Sequence, residues 1–438
     1  MNPIGHPSLS TEDRKAPREP DAIEDTDLDP CFLHDLALKH AYHEGMCTSS
    51  RVAEKLCLPL RLTDHLLQWL RKDHLVALTA QVGPDDHRYE MLDRGAERVK
   101  QLLDVSGYVG PAPVSLAAYR RRVEATAVNE TPPPPEKVAR AFDPIVIPEA
   151  SLLTVGLALS SGRSLFLFGP PGNGKTSIAR LIHDAFEGDI WVPHAIEIDG
   201  QVIQVYDPHI HARSKEAEPA GADRRWVRVR RPLVVVGGEL TMESMDLIDS
   251  RDLHFYEAPF QLKTNGGTLV IDDFGRQRVD SSDLINRWIT PLENGRDFLT
   301  LATGKTIEVP FRQFLIFVTN LPVEKIVDQA FLRRIGYRLR VDPPTEEIYR
   351  KIFERCAWER HIPMEPEALD SLLARYRQEG RPLRGSEPSD LLDRVLDIQR
   401  YAGLYDRPLG ELLDLAWTNY FGQTQLLEKD ESLPRADV

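Results

Sequence analysis

Cysteine, excess basic charge and long apolar runs are all scarce in this sequence. Its 438 residues include only four cysteines, Cys31, Cys47, Cys57 and Cys356, and no two of them form a C-x-x-C pair. This scarcity argues against a zinc site and against a disulfide framework, and it fits a reducing cytoplasm. No apolar run approaches the roughly 18 residues that a membrane span needs, so we expect no membrane segment or membrane partner. The polar, acidic first thirty residues do not resemble a secretory signal, and we expect a cytoplasmic protein.

Basic residues do not dominate the chain. There are 54 Lys+Arg against 68 Asp+Glu, which gives a net charge of −14. This balance excludes an overall basic surface for nucleic acid, although it leaves a local basic patch open. Hydrophobic residues make up 42% and charged residues 28%, which is ordinary for a globular protein, and the length predicts about three domains.

Two proline-rich stretches divide the chain. Residues 1–30 contain five prolines, many charges and few large apolar side chains, so we predict a disordered acidic tail. The segment TPPPPEK, residues 131–137, favours an extended spacer, and we predict a Pro-rich linker over residues 119–138. Between them lies an N-terminal module, residues 31–118.

The N-terminal module is predicted to contain three helices, then a hairpin and a last helix, which is the order of a winged helix. We predict a first helix around 36–42, helices over 51–58 and 60–73, strands over 75–82 and 88–92, and a helix over 94–105. Such a module binds DNA through its third helix or docks a protein partner. The exposed candidates on that helix are Arg61, Asp64, His65, Gln68, Arg71 and Lys72. Ten Lys+Arg against eleven Asp+Glu in the module favour protein docking.

A phosphate-binding loop follows the spacer. Residues 164–176 read SLFLFGPPGNGKT, which is G-x-x-x-x-G-K-[ST] between a predicted strand and a predicted helix. The glycines let backbone N–H groups surround phosphate oxygens, and the helix N-terminus adds partial positive charge. Lys175 is predicted to reach the β- and γ-phosphates, and the Thr176 hydroxyl to bind Mg²⁺. The predicted ATP-binding residues are Gly169, Pro170, Pro171, Gly172, Asn173, Gly174, Lys175, Thr176 and Ser177.

A second strand ends in two carboxylates. Residues 266–276 read GGTLVIDDFGR, and the aspartates come directly after an apolar run. Ligands of open α/β sheets bind at the carboxyl ends of the strands. We therefore predict that Asp272 holds Mg²⁺ and that Asp273 orients or deprotonates the attacking water.

Together with these motifs, three further features make the chain resemble the AAA-plus ATPases. A strand over 314–318 ends in Thr319-Asn320, and Asn320 matches the polar sensor 1 residue of that superfamily, which positions the lytic water. The segment DQAFLRRIGYRL resembles the one that carries arginine fingers, and Arg333 and Arg334 match. Residues 344–421 read as helical, as a small lid domain would. A turn before Pro322 and a solvated helix end are the plainer readings of the asparagine and the arginines.

Finer phrases are similar to a bacterial MoxR-like group, described as predicted ATPases with chaperone activity and an N-terminal winged helix. The phrases are FYEAPFQLKTNGG and IDDFGRQRV, and a hairpin is predicted before the sensor 1 strand. The resemblance covers roughly residues 35–425 and implies a hexameric ring that remodels a client protein. The fold class it implies is α/β. A P-loop AAA-plus αβα core over residues 139–342 would be preceded by the winged-helix module and followed by a helical lid over 343–425. Residues 426–438 would be a tail.

The lid departs from the AAA-plus pattern at one position. Where a sensor 2 arginine is expected, in RPLRGSEPSDLLDRV, the chain has Ser389. Arg381, Arg384 or Arg394 are the candidates to replace it. If none reaches the phosphates, the lid would sense the γ-phosphate weakly and turnover could be slow.

Residues 191–207 predict a hairpin around Asp199-Gly200, followed by a polar stretch over 208–225. Their expected place, after the second core strand, is where such motors carry client-contacting loops, although an ordinary exposed insertion is favoured. Taken together, the sequence predicts Mg²⁺-dependent ATP hydrolysis by an oligomeric ring that remodels a protein partner. The alternatives are an ATP-gated DNA-binding regulator and a nucleotide switch that does not hydrolyse.

Overall fold

The computed structural model describes residues 15–130, 132–249, 254–322 and 329–422. The predicted C-terminal tail over 426–438 and the first 14 residues of the predicted N-terminal tail lie outside these ranges. Among the described residues, no helix is both long enough and apolar enough to cross a membrane.

The N-terminal module has the predicted succession of helices and a hairpin, with one additional strand. Its elements are α1 (Pro30–Glu44), β1 (Met46–Thr48), α2 (Ser49–Leu56), α3 (Leu60–Lys72), β2 (Val76–Gly83), β3 (Asp86–Met91) and α4 (Asp93–Val105). The three strands pair antiparallel in the order β1-β3-β2. The apolar stripe of α3, with Leu62, Leu66, Leu67 and Leu70, is buried against α1 and α2 as the 3.6-residue period requires.

Asp64 is not an exposed residue of the third helix, so its prediction as a DNA-contact candidate is wrong. It is 3% exposed and faces the hairpin. Its carboxylate accepts hydrogen bonds from Ser49 Oγ at 2.6 Å, Gln68 Nε2 at 2.6 Å, His87 Nδ1 at 2.9 Å and Tyr89 Oη at 3.2 Å. A buried carboxylate needs such partners, and here they tie α3 to the start of α2 and to β3.

Residues 15–29, predicted as part of a disordered tail, are ordered on the protein surface. Arg18 forms a β-bridge with Ala222, and the carbonyl oxygen of Pro17 accepts a hydrogen bond from the Asp223 amide at 2.8 Å. The Thr26 carbonyl oxygen accepts from Arg225, whose guanidinium is buried beside the Asp223 carboxylate. These partners lie about two hundred positions along the chain, and the local composition did not reveal them.

The predicted linker over 119–138 is wrong in its first half. The chain there forms α5 (Leu116–Ala125), which follows β4 (Val114–Ser115). A further helix, α6 (Pro135–Ala141), begins at the last proline of the run. Tyr119 and Val123 of α5 are 2% and 6% exposed, so this helix belongs to a packed core and not to a spacer.

The central part of the chain alternates strands and helices. In chain order the elements are α7 (Glu149–Ser161), β5 (Leu165–Phe168), α8 (Lys175–Asp184), β6 (Asp189–Pro193), β7 (Ala195–Ile198), β8 (Gln201–Gln204), β9 (Trp226–Arg230), β10 (Leu233–Val236), β11 (Ile248–Asp249), β12 (Tyr256–Glu257), α9 (Phe260–Lys263), β13 (Thr268–Ile271), α10 (Ser281–Asn294), β14 (Arg296–Thr300), β15 (Thr306–Pro310), β16 (Phe314–Thr319), α11 (Gln329–Arg334) and β17 (Tyr337–Arg340).

A parallel sheet with the order β10-β13-β16-β5-β17 forms the middle layer. Alternate side chains of its strands face opposite layers, as strand geometry dictates. The side chains on one face pack against α7 and α8; they are Leu165, Leu167, Val270, Ile316 and Val318. Those on the other face pack against α10; they are Phe166, Leu269, Ile271, Leu315 and Phe317. The sheet is therefore covered on both faces, and the predicted αβα core is confirmed.

A second β region lies outside this sheet. Its strands pair in the order β11-β12-β8-β7-β4, with β6 paired to β9 and β14 to β15. The predicted hairpin around Asp199-Gly200 is β7–β8, and both turn residues have positive φ (51° and 80°), as a two-residue hairpin turn requires. Along the chain, β10 is the second strand of the parallel sheet, after β5. The hairpin therefore precedes this second strand, whereas the sequence predicted that it would follow it. Ala195 and Val202 of the hairpin pack into the core of the N-terminal module.

The C-terminal region is helical, as predicted. It comprises α12 (Glu346–Glu359), α13 (Pro366–Gln378), α14 (Glu387–Ala402) and α15 (Leu409–Phe421). Tyr349, Phe353, Tyr376 and Trp417 are at most 1% exposed and form the centre of a core separate from that of the sheet. This helical lid follows directly on β17, next to the phosphate-loop strand β5.

Candidate functional site

The phosphate loop connects β5 to α8 at the carboxyl edge of the sheet. Gly174 caps α8 with a φ of 80°, a left-handed conformation that favours glycine. A Cβ atom on Gly169 would lie 2.4 Å from the carbonyl oxygen of Val341, so only glycine fits against β17 there. The loop therefore directs its helix N-terminus into the edge of the sheet where ligands of α/β proteins bind.

Lys175 is 5% exposed and lies within the loop. Its Nζ donates hydrogen bonds to the carbonyl oxygens of Gly169 at 2.8 Å and Pro170 at 2.7 Å. Burial lowers the pKa of this ammonium group, and the nearby carboxylates of Asp272 and Asp273 act in the opposite direction. The arrangement is a desolvated cation held at the loop, where it can interact strongly with phosphate oxygens.

Thr176 and Asp272 come together across the sheet. Thr176 Oγ1 donates to Asp272 Oδ2 at 2.9 Å, and the Asp272 amide is held by the Val236 carbonyl oxygen at 2.8 Å. A hydroxyl and a carboxylate oxygen are hard ligands of the kind Mg²⁺ prefers, and Mg²⁺ usually takes few protein ligands besides water and phosphate. Both donors are oxygen atoms, whereas transition metals favour imidazole and thiolate ligands, so this pair fits Mg²⁺.

Asp273 and Asn320 are also brought together. Asp273 is exposed at the end of β13, with a φ of 49°, and its Oδ1 accepts from Asn320 Nδ2 at 3.3 Å. The strand ends are locked by Thr319, whose hydroxyl donates to the Phe274 carbonyl oxygen at 2.7 Å. Gln277 adds a second brace, because its Nε2 donates to the Asp272 carbonyl oxygen at 2.9 Å. Sequence reasoning missed Thr319 and Gln277 as supports, although Thr319 is polar at the end of an otherwise apolar strand.

The two candidate finger arginines lie at the end of α11, on a different element from these residues. Arg333 is exposed. Arg334 Nε donates to Glu293 Oε1 at 2.6 Å, at the end of α10. The structure thus places both arginines outside the group formed by Lys175, Thr176, Asp272, Asp273 and Asn320.

The three lid arginines considered as sensor 2 replacements differ in their surroundings, and Arg384 lies beside Gly172 of the phosphate loop. The side chain of Arg384 lies 3.2 Å from the position that a Cβ atom on Gly172 would take. Arg381 instead lies over the Phe421 ring at 4.2 Å, and Arg394 over the Tyr420 ring at 4.6 Å. Ser389, at the expected arginine position, accepts a hydrogen bond from Arg360 Nη2 at 2.6 Å.

A cavity of about 600 Å³ opens beside the phosphate loop, between the sheet layer and the lid. Asn173, Gly174 and Ser177 of the loop and helix form one wall. The rest of the lining is mixed: Ile145, Ile147, Ile348 and Ile352 are apolar, and Arg340, Asp342, Arg355, Glu359 and Asp390 are charged. The sequence analysis places Ile145 and Ile147 within the predicted core but does not identify them as residues of this cavity.

Comparisons with known proteins find one partial family match and distant solved structures. Residues 345–419, within the lid, match a family described as a domain of unknown function (DUF8689). No curated protein matches the chain. Among solved structures, RuvB of Thermotoga maritima, a Holliday junction branch migration motor, is 16% identical over 68% of this chain and 72% of its own, with a TM-score of 0.37. NtrX of Brucella abortus, in complex with ADP, is 15% identical over 79% of this chain and 68% of its own, with a TM-score of 0.40. Such low identities and TM-scores do not establish a function.

Proposed function

We propose that the chain is a Mg²⁺-dependent ATPase of the AAA-plus type. The observation that carries this proposal is the convergence of a buried lysine, a hydroxyl–carboxylate pair and an aspartate–asparagine pair at one edge of the sheet. They come from three places, the start of α8 and the ends of β13 and β16, and together they supply groups for phosphate, metal and water. The adjacent cavity has the size of a small-molecule pocket, and its lining combines isoleucines that can contact a nucleotide base with polar and charged side chains.

In this proposal Lys175 and the loop amides bind the β- and γ-phosphates. Thr176 and Asp272 hold the metal, which when bound neutralises charge on the phosphate oxygens. Asp273 accepts the proton of the attacking water or orients that water, and Asn320 fixes the position of the Asp273 carboxylate. Arg384 packs side-chain carbons beside Gly172 and has its Nε 3.9 Å from Glu387 Oε1, and in this proposal it serves as the lid cation in place of the sensor 2 arginine.

We also propose that the chain assembles into a ring of identical subunits. Arg333 and Arg334 act on the nucleotide of a neighbouring subunit in a ring, for which six subunits are the expected number. The N-terminal module, which we interpret as a winged helix, recruits a protein client that the ring remodels. Its near-neutral charge supports a protein partner. The packing of β7–β8 against it supports transmission of motion from the core to that partner.

Steady-state ATP hydrolysis with and without Mg²⁺ tests the proposal. The full chain should release phosphate in the presence of Mg²⁺ and lose this activity when the metal is chelated. Asp273→Asn should be inactive, while Asp143→Asn, on the exposed surface after α6, should behave as wild type. Nucleotide binding without turnover in the wild-type protein would favour the non-hydrolysing switch.

A further inference from the structure

A loop of the lid lies directly on the phosphate loop. The Ser386 amide donates to the Gly172 carbonyl oxygen at 2.9 Å, and the Gly385 amide donates to Asn173 Oδ1 at 3.2 Å. Asn173 Nδ2 in turn donates to the Pro170 carbonyl oxygen at 3.3 Å. One side-chain amide therefore spans the phosphate loop and the lid.

These contacts leave the phosphate-binding groups of the loop unused. Gly172 and Asn173 contribute only oxygen acceptors to the lid, whereas phosphate is bound by backbone N–H groups. The fit is close, because a Cβ atom on Gly172 would lie 3.2 Å from the Ser386 hydroxyl. Lid contact and phosphate binding can therefore occur on the same loop at the same time.

The lid loop is itself anchored inside the lid. The Glu387 carboxylate, only 2% exposed, accepts from the Arg384 amide at 3.2 Å and from the Tyr376 hydroxyl at 2.7 Å. Tyr376 is hydrogen-bonded to Tyr349 of α12 at 3.2 Å. Because these hydrogen bonds connect α12 to the lid loop, a shift of the lid helices should also move Gly385 and Ser386.

We propose that Asn173 is a positioning residue that couples the shape of the phosphate loop to docking of the lid. The proposal rests on the proposed function, since it takes the loop as the nucleotide site. Phosphate binding fixes the loop in the shape that presents the Gly172 and Asn173 oxygens to the lid. Because coupling between two equilibria is reciprocal, lid docking must also favour phosphate binding.

Hydrogen exchange of the lid loop in the nucleotide-free full chain tests this coupling. Loss of one hydrogen bond of ordinary strength should speed exchange of the Gly385 and Ser386 amides about two- to tenfold in Asn173→Ala. Asn173→Asp retains the oxygen acceptor and should keep most of the protection, which controls for misfolding. Asn419→Ala, at an exposed position on α15, should exchange as wild type does. Wild-type exchange rates in Asn173→Ala would overturn the proposal.

Binding of ADP and of Mg²⁺·ATP supplies the second measurement. In Asn173→Ala the dissociation constants should rise by about the factor seen in the exchange rates, because the coupling is shared. If the wild-type protein binds neither nucleotide, the proposed function fails, while the exchange data alone still support or overturn the contact. If nucleotide binds as proposed and Asn173→Ala matches wild type in both measurements, only the role of Asn173 fails.

Discussion

Arg334 is held by Glu293 of the same chain, with Nε and Oε1 2.6 Å apart, whereas its neighbour Arg333 is exposed. The pair joins the end of α10 to the end of α11, two helices in direct contact. Partly exposed ion pairs of this kind are worth little stability, at most about 1 kcal/mol. Their value here is geometric, since Glu293 fixes the end of the helix that carries Arg333.

The two arginines should therefore differ when substituted singly. Arg333→Ala should reduce kcat by about a thousandfold or more, the usual effect of removing an arginine finger. Arg334→Ala should have a smaller effect, because the guanidinium of Arg334 already shares its charge with Glu293 and so contributes less to the neighbouring nucleotide than Arg333 does. Steady-state ATP hydrolysis at saturating ATP measures both. Equal losses in the two variants, or a larger loss in Arg334→Ala, would contradict this assignment.

Lys175 and Asp273 should separate binding from turnover. Lys175→Ala should abolish ATP binding, since the buried cation meets phosphate in the ground state. Asp273→Asn should keep binding and lose hydrolysis, because the carboxylate acts only on the attacking water. Asparagine also tolerates the left-handed backbone at this position, so the substitution should not distort the strand end. Nucleotide titration and phosphate release together decide the point, and an equal loss of affinity in both variants would contradict it.

The full chain should not bind duplex DNA with sub-micromolar affinity at about 150 mM salt. The N-terminal module is nearly neutral, and DNA binders need several phosphate contacts from Lys and Arg. Arg61, Arg71 and Lys72 are exposed on α3 but are too few to supply such contacts alone. Titration at two salt concentrations measures this. Tight binding that weakens steeply with salt would instead favour the DNA-binding regulator.

The phosphate loop and the acidic strand end could be predicted because their chemistry is local. A glycine-rich loop between a strand and a helix, and two aspartates after an apolar run, are enough to place Lys175 at a helix start and Asp272 at a strand end. The αβα layering followed from the same alternation of elements. The motifs themselves are local, although the pairs they form join residues as far apart as Thr176 and Asp272.

The errors share one physical cause, which is dependence on distant contacts. Residues 15–29 look disordered by composition, yet Asp223 and Arg225 hold them in place. Asp64 looks like an exposed polar residue of an amphipathic helix, yet its partners lie in other elements. The contact of Asn173 with the lid loop spans more than two hundred residues, and no motif announces it.

Asp64 should make the stability of the N-terminal module sensitive to acid. Burial would raise the pKa of this carboxyl, but hydrogen bonds from Ser49, His87 and Gln68 outweigh burial and lower it. Because the folded pKa lies below the unfolded one, the stabilisation is complete above the unfolded value of about 3.9 and is lost as the pH falls through the folded value. Melting temperatures measured from pH 6 to pH 3 should show this loss.

In Asp64→Asn the protein should melt lower at pH 6, and its further decline on acidification should be smaller than in wild type. Asp104→Asn, on the exposed side of α4, is the matched control and should follow the wild-type curve. Parallel curves for Asp64→Asn and wild type would show that Asp64 does not contribute this acid sensitivity.

If the arginines act on the nucleotide of a neighbour, hydrolysis belongs to an interface and can be restored by mixing two inactive proteins. Lys175→Ala has fingers but no functional site, and the double variant Arg333→Ala/Arg334→Ala has a site but no fingers. In a head-to-tail ring mixed one to one, about a quarter of the interfaces join an intact site to intact fingers. Phosphate release should therefore reappear once subunits exchange, which differently tagged subunits can verify. Mixed rings that remain inactive would mean that the arginines form an ordinary helix end or that one dead subunit stalls the ring. Titration of wild type with Lys175→Ala separates the two, because stalling makes activity fall more steeply than the fraction of wild-type subunits.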